Sequence, residues 1–212
     1  MPWRLRLGVN NFESKIIEAI QSVGTKFLDD FFGVVTHLGS VWAVIVVAIL
    51  FILIFGLRGL TRYLFILGVT TACGALIKII VARPRPYIFS TEIEGLTSAG
   101  GYSFASGHTL TMVITALSIY FMVARILRDT KTADDPVNKK KRKRNIWIKT
   151  CLFIFLTFIT LLVGFSRIYL GVHYISDVLF AVLLGLVCYY IFAKLYDRYI
   201  EKLIFRKGGK KC

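Results

Sequence analysis

Acidic residues, cysteines and a secretory leader are features that this sequence has little or none of. Only 12 of the 212 residues are Asp or Glu, and they nowhere cluster in the way that a bound catalytic metal requires. The four cysteines show no Cys-x-x-Cys spacing, so neither a zinc site nor a redox dithiol is indicated. The first 15 residues lack the compact apolar core and small-residue cleavage site of a signal peptide. We therefore expect no metal, no cofactor and no cleaved leader.

Hydrophobic residues are abundant instead, and they occur in long blocks. They make up 56% of the chain, whereas charged residues make up only 18%, a balance too apolar for an ordinary soluble domain. A membrane-spanning helix needs about 20 mostly apolar residues. Five blocks approach this length, at 41–57, 63–81, 110–127, 147–165 and 178–196. The predicted fold class is an all-α integral membrane protein built as a bundle of five transmembrane helices.

Residues 12–36 combine an apolar stripe with interspersed charge. Seven apolar residues recur there every three or four positions, which predicts amphipathic helix: Phe12, Ile16, Ile20, Val23, Phe27, Phe31 and Val35. Six Asp, Glu and Lys residues in the same stretch would make a lipid-exposed span costly. We expect one or two helices that lie in the membrane interface, with a sixth transmembrane span as the alternative.

The basic residues predict the orientation of the chain. The formal net charge is +15, and Lys and Arg cluster beside the apolar blocks, where they meet anionic lipid headgroups rather than nucleic acid. The links at 58–62 and 125–144, with the run KKKRKR at 139–144, and the C-terminal tail are therefore expected on the cytoplasmic side. By alternation, residues 83–107 and 166–173 share the opposite face.

Three short strings at that opposite face carry ionisable groups at membrane depth, where charge is expensive and usually functional. They read KIIVARPRP at 78–86, SFASGH at 103–108 and SRIYLGVHYISD at 166–177. Lys78 and Arg85 are expected to converge on an anion, with Arg85 preferred to Arg83 for this role. Ser106 is predicted to begin a helix, whose free N–H groups and dipole also favour an anion.

The two histidines of these strings are candidates for proton transfer and nucleophilic attack. Asp177 follows His173 by four residues, so on a helix it would hold one imidazole nitrogen and leave the other for use as nucleophile or base. His108 stands where it could protonate a leaving group. The remaining histidine, His37, has no visible partner, and a structural or interfacial role is predicted for it.

The ordered set Lys-x6-Arg-Pro, Ser-Gly-His and Ser-Arg-x5-His-x3-Asp resembles the type 2 phosphatidic acid phosphatase superfamily. The resemblance implies metal-free, two-step phosphoryl transfer in which His173 becomes a phosphohistidine, Asp177 orients it and His108 protonates the departing oxygen. It also implies that five residues hold the phosphate oxygens: Lys78, Arg85, Ser106, Gly107 and Arg167. One departure is Ala105, where the family usually has proline.

The resemblance implies an enzyme that hydrolyses a phosphomonoester or diphosphate on a membrane lipid. Phosphatidylglycerophosphate, a polyprenyl diphosphate and phosphatidic acid are the expected substrates. The alternatives are a phosphotransferase with an acceptor other than water, and a lipid-binding or transport protein with a dormant site. The expected location is the plasma (inner) membrane, with the active site on the extracytoplasmic face.

The organisation expected from these features has three parts. Residues 1–40 form an interfacial segment, residues 41–200 form one transmembrane phosphatase domain with active-site loops at 78–108 and 166–177, and residues 201–212 form a basic cytoplasmic tail. The oligomeric state has no signature in the sequence.

Overall fold

The computed structural model describes residues 3–128 and 136–205, and it contains no strand within these ranges. The helices are α1 (Trp3–Ser22), α2 (Lys26–Val35), α3 (Val41–Val81), α4 (Pro86–Phe89), α5 (Gly107–Ile126), α6 (Pro136–Tyr169), α7 (Ile175–Leu195) and α8 (Glu201–Phe205). A 3-10 turn, Thr36–Gly39, precedes α3, and a π turn, Tyr196–Ile200, follows α7. The prediction of an all-α membrane fold is confirmed.

Four helical stretches within the described ranges are long and apolar enough to cross a membrane: Val41–Phe89, Gly107–Ile126, Lys140–Tyr169 and Ile175–Phe205. The first stretch contains two of the five predicted spans, because α3 folds back on itself at Gly56 (φ 67°, ψ −172°). Phe51 and Tyr63 stack with ring centroids 4.8 Å apart, although along a continuous helix they would be separated by about 18 Å. The predicted loop between these two spans is therefore a reversal at one glycine.

Helix α5 lies at the centre of the bundle, where it packs against α3, α6 and α7. The largest core cluster joins both limbs of α3 to α5 and α7 through Phe51, Tyr63, Ile66, Leu67, Ile114, Tyr189 and Ala193. Many large apolar side chains on the outer surfaces of the spans remain exposed, among them Leu53, Ile80 and Leu179. This pattern is typical of helices whose surrounding solvent is lipid rather than water.

The predicted N-terminal helices form, and neither α1 nor α2 is among the candidate spans. Within residues 10–22, however, the buried side chains of α1 are Asn10, Glu13, Ser14 and Ile17, whereas Phe12 on the predicted apolar stripe is 67% exposed. Helix α1 therefore turns a largely polar face towards the protein. The sequence pattern did not reveal this orientation, because it identified only the apolar stripe.

Both basic segments begin within helices. The run at 139–144 lies in the first turns of α6, so the link expected at 125–144 is partly helical. Residues 140–144 are all exposed. Residues 129–135 lie outside the described ranges. Of the predicted tail at 201–212, residues 201–205 form α8, and residues 206–212 also lie outside the described ranges.

Candidate functional site

Three of the predicted cationic and imidazole side chains line one cavity of about 610 Å³, which we call the cationic cavity. Lys78 comes from the last turn of α3, His108 from the first turn of α5 and Arg167 from the last turn of α6. Gly107 also lines it. Helix ends from three sequence-distant segments therefore place two positive side chains and the positive end of the α5 dipole around one space, which favours an anion there.

The start of α5 is fixed by Ser106. This residue is the N-cap, as predicted, but its side chain makes no capping hydrogen bond. Its Oγ accepts a hydrogen bond from Thr109 Oγ1 at 2.9 Å, and its backbone N–H donates to the carbonyl of Asp177 at 3.2 Å. Ser106 thus joins the beginning of α5 to the beginning of α7 and is fully buried.

A tight turn between α6 and α7 brings His173 next to Arg167. The backbone N–H of His173 donates to the carbonyl of Arg167 at 3.2 Å. Gly171 adopts φ +71°, and a Cβ at this position would lie 2.3 Å from the carbonyl oxygen of Glu94. Only glycine allows both this backbone conformation and this close approach. The turn therefore depends on Gly171, which is not one of the motif positions.

Asp177 holds the His173 ring as the i,i+4 spacing predicts. Nδ1 of His173 lies 3.4 Å from Oδ2 of Asp177, and the backbone N–H of Tyr174 donates to the same oxygen at 3.0 Å. The pairing leaves Nε2 of the imidazole for chemistry. Burial lowers the pKa of His173 to about 4, and although Asp177 acts to raise that pKa, nearby Arg167 and Arg85 lower it further. The imidazole is therefore neutral at physiological pH.

Arg85 contacts backbone rather than lining the cationic cavity. Its guanidinium donates to the carbonyls of Gly100 at 2.6 Å, Gly101 at 3.0 Å and Val172 at 2.9 Å. It thereby joins the loop before α5 to the residue that precedes His173. Arg85 is close enough to His108 and His173 to act on both electrostatically, and its role as a direct phosphate ligand stays a prediction.

The Thr36–Gly39 turn supplies a wall of the cavity that the motif analysis missed. Nη1 of Arg167 donates to Oγ1 of Thr36 at 2.6 Å, and His37 lines the same cavity as His108. A structural or interfacial role was predicted for His37, whereas its place in the same cavity as His108 was not predicted. The alternation of spans contained the signal, because residues just before the first predicted span belong to the same membrane face as the three strings.

Arg167 retains an unsatisfied donor at the cavity. Its Nε is buried and makes no hydrogen bond within the described part of the chain. His37, Lys78, His108 and Arg167 line the same cavity, so these side chains form one cluster. A buried guanidinium with a free donor, beside two imidazoles and a lysine, is suited to binding an oxyanion.

Comparison with known proteins gives consistent results. The model of the PAP2 superfamily matches residues 59–201. Phosphatidylglycerophosphatase B of Bacillus subtilis (strain 168) is 28% identical over 140 residues, which are 66% of this chain but only 58% of the relative. A crystal structure of a transmembrane PAP2 type phosphatidylglycerolphosphate phosphatase from Bacillus subtilis superposes with a TM-score of 0.70 at 22% identity, over 91% of this chain and 88% of the other. Aquifex aeolicus LpxE gives a TM-score of 0.60 at 25% identity, over 85% and 93%.

Proposed function

The chain belongs to the PAP2 superfamily, and from that membership we propose that it is a lipid phosphate phosphatase. It would hydrolyse a phosphomonoester or diphosphate carried by a membrane lipid. The observation that carries the proposal is that His173, held by Asp177, donates its backbone N–H to the carbonyl of Arg167, which lines the cationic cavity together with Lys78 and His108. Phosphoryl transfer is mainly a matter of positioning and of stabilising charge on the phosphate oxygens, and this cluster is suited to both.

The proposed reaction has two steps. In the first, Nε2 of His173 attacks phosphorus, the bond from phosphorus to the lipid oxygen breaks, and His108 gives that oxygen a proton. In the second, His108 takes a proton from water, the resulting oxygen attacks the phosphohistidine, and inorganic phosphate leaves with the imidazole restored.

The phosphate ligands in this proposal come from every wall of the cluster. Lys78 and Arg167 supply positive charge at the cavity. Ser106 and Gly107 supply the N-terminal end of α5. Arg85 supplies positive charge while it binds the carbonyls of residues 100 and 101. The resemblance places a phosphate contact at each of these five positions. Arg167 has the strongest structural support among them, because it lines the cavity while its Nε has no hydrogen-bond partner within the described residues.

The proposed substrates are phosphatidylglycerophosphate, a polyprenyl diphosphate or phosphatidic acid. The Bacillus subtilis relative named phosphatidylglycerophosphatase B makes the first of these the leading candidate. Val41 and Trp42, at the start of α3, line the cavity together with Lys78. A lipid phosphate could therefore reach the cationic groups while its tail stays beside the apolar surface of the spans.

The experiment that tests this function is phosphate release by the purified protein in detergent, with the three candidate lipids as substrates and with chelator present. We expect release to persist with chelator and to disappear in His173→Ala. Loss of release in chelator would contradict the metal-free mechanism, and full activity of His173→Ala would contradict the nucleophile assignment. Consumption of lipid without inorganic phosphate, in the presence of an alcohol acceptor, would point to a phosphotransferase.

We also propose that the active site faces the extracytoplasmic side of the plasma (inner) membrane. In this arrangement residues 1–40 lie at that surface, residues 41–200 form the transmembrane domain and residues 201–212 extend from the cytoplasmic side. Ser98 is exposed and lines the cationic cavity, so Ser98→Cys in a background with the four native cysteines replaced is a suitable reporter. Labelling of intact cells by a membrane-impermeant thiol reagent is expected, and labelling only after lysis would contradict the orientation.

A further inference from the structure

Arg83 is the most heavily engaged cation at this end of the bundle, although it is not one of the motif positions. Its Nη1 donates to Oδ1 of Asp177 at 2.7 Å and to Oγ of Ser176 at 2.7 Å. Its Nη2 donates to Oε2 of Glu13 at 2.6 Å and to Oδ1 of Asn10 at 2.7 Å, and Nε donates to the same Asn10 oxygen. The guanidinium therefore connects α1 directly to the carboxylate that holds His173.

Aromatic packing keeps this guanidinium in place. The Arg83 guanidinium carbon lies 3.7 Å from the ring centroid of Tyr174, within the range of a cation–π interaction. Tyr174 itself is fully buried and follows His173 directly. Arg83 thus stacks on Tyr174, which follows His173 directly, and donates to Asp177, which contacts the His173 ring.

Glu13 acts on the same region through the end of α7. Its Oε1 accepts the backbone N–H of Ser176 at 2.7 Å, and its Oε2 accepts the Ser176 hydroxyl at 2.9 Å. The first turn of a helix has N–H groups without partners inside the helix, and a carboxylate at that end is favoured by the helix dipole. Glu13 therefore caps α7 from another helix, one residue before Asp177.

The burial of these groups makes their mutual pairing essential. The side chains of Arg83, Glu13 and Asp177 are 6%, 8% and 0% exposed. Two buried carboxylates share one guanidinium, and a buried charge that loses its partner is strongly destabilised. If Glu13 lost its charge, Arg83 would lose one of its two anionic partners and α7 would lose its cap. The rotamer of Asp177, and with it the ring of His173, would then be less restricted.

We propose that α1 is a working part of the active centre, with Asn10, Glu13 and Arg83 as positioning residues that fix Asp177 and thereby aim His173. This inference rests on the proposed function, since it assumes that His173 is the nucleophile. None of these three residues lines the cationic cavity. Their substitution should therefore impair formation of the phosphohistidine without weakening substrate binding.

The test compares Glu13→Gln with Glu18→Gln in the purified full-length protein. Glu18 lies on the same helix but pairs with Ser90, so its substitution is a matched control outside the network. We expect Glu13→Gln to lower kcat about 10- to 100-fold, by analogy with residues that orient metal-binding histidines, while KM changes less than about threefold. Glu18→Gln should behave as wild type. Equal kcat for Glu13→Gln and Glu18→Gln would overturn the proposal.

A double-substitution cycle separates positioning from general loosening of the fold. In Asp177→Asn, His173 no longer contacts a carboxylate of the network. Adding Glu13→Gln to this variant should therefore reduce the single-turnover rate of phosphohistidine formation by less than about a further twofold. Full additivity of the two substitutions would overturn the proposal. Arg83→Lys keeps the charge but loses the fork, and it should lower kcat at least as much as Glu13→Gln.

The same measurements distinguish failure of this inference from failure of the proposed function. If His173→Ala abolishes phosphate release while Glu13→Gln and Arg83→Lys retain wild-type kcat, only the role of α1 is wrong. If His173→Ala keeps its activity, the nucleophile assignment fails, and the positioning role fails with it.

Discussion

Two buried arginines pair with aspartates at opposite ends of α7, and the two pairs differ in how the carboxylate is used. Arg83 binds Asp177 in the first turn of the helix, and Arg62 binds Asp197 just beyond its end. Twenty residues separate the aspartates, which corresponds to about 30 Å along a helix. Each pair joins helices that are distant in sequence, so each would be expected to contribute to the assembly of the bundle.

The pair at the Asp177 end divides the two oxygens of its carboxylate between different tasks. Oδ1 accepts from Arg83, whereas Oδ2 faces the imidazole of His173 and the N–H of Tyr174. The carboxylate is completely buried. Asp177 thus passes the restraint imposed by Arg83 on to a group next to the cationic cavity.

At the Asp197 end, neither carboxylate oxygen is left to orient a further side chain. Oδ1 of Asp197 accepts from Arg62 at 2.8 Å, and Oδ2 accepts from Arg125 at 2.9 Å. Nη2 of Arg62 also donates to Oδ2 of Asp197 at 3.4 Å, and Nη1 donates to the Tyr189 hydroxyl at 3.1 Å. Both oxygens are occupied by arginines and Asp197 is 32% exposed. A buried arginine paired with an aspartate is therefore common to both ends. The proposed catalytic end differs because the second oxygen of its carboxylate contacts His173.

The largest contrast is expected from the same substitution at the two aspartates. Asp177→Asn should lower kcat for phosphate release by about 10²- to 10⁴-fold, because the imidazole loses the carboxylate that orients it. Asp197→Asn should leave kcat within about threefold of wild type, since that end contacts no reacting group. Steady-state kinetics on monodisperse detergent preparations measure both values. A similar loss in the two variants would remove the distinction between the ends.

The pH dependence should also be confined to the His173 end. The neutral imidazole is the nucleophile, and its pKa is lowered to about 4 by burial, so the acid limb of kcat/KM should lie near pH 4. In the unfolded chain the pKa is about 6.5, so protonation there opposes folding as the pH drops from about 6.5 to 4.

The melting temperature measured across this pH range provides the check on the sign. Wild type should lose stability on acidification through the window, and His173→Ala should lose less of it. Asp197→Asn should leave the acid limb of kcat/KM in place. A limb near pH 6.5 in the wild-type enzyme would show that burial does not control this imidazole.

At the opposite end, a substitution should affect stability and not catalysis. Arg62→Ala removes the partner of Asp197 and the donor to Tyr189, and it should cost about 1–3 kcal/mol of unfolding free energy. The cost is limited because Asp197 is partly exposed and keeps Arg125. Thermal unfolding with kcat measured on the folded fraction tests this expectation, and a fall in kcat at unchanged stability would contradict it.

The smallest contrast concerns the two glycine turns. Gly56 and Gly171 both have positive φ, but a Cβ at Gly56 would meet nothing within 4 Å, whereas one at Gly171 would meet the Glu94 carbonyl at 2.3 Å. Gly56→Ala should therefore cost about 1–3 kcal/mol from backbone strain alone. Gly171→Ala should cost more and should also reduce kcat, because its turn carries His173. Equal melting temperatures for the two variants would contradict this ranking.

Much of the architecture could be predicted from local patterns. Apolar blocks of near-spanning length predicted the four candidate spans found within the described residues. The four-residue spacing of His173 and Asp177 predicted their contact, although His173 lies in the turn before α7 and not on the helix. The charged side of α1 was not predicted. Periodicity detects an apolar stripe, but it does not reveal that the polar stripe of Asn10 and Glu13 faces a buried arginine.

The position of His37 beside the cationic cavity was not predicted, for a related reason. Its string has no charged neighbour and resembles an ordinary helix start, so composition gave no reason to place it beside His108. Arg58 and Arg62 predict a loop between the first two spans, because basic residues mark a membrane border. In the structure both arginines are helical, and the chain reverses at Gly56. Both features depend on how segments pack, and packing is not encoded in a short window of sequence.

By itself the sequence determined the membrane class, the order of the three motif strings and the chemistry of their side chains, because these follow from hydrophobicity and covalent structure. Only the tertiary structure decided which cation reaches Asp177, which helix caps α7 and which nitrogen of Arg167 stays available. The physical reason is that a hydrogen bond is satisfied across a few ångströms of space, and residues 13, 83 and 177 become neighbours only after the helices have packed.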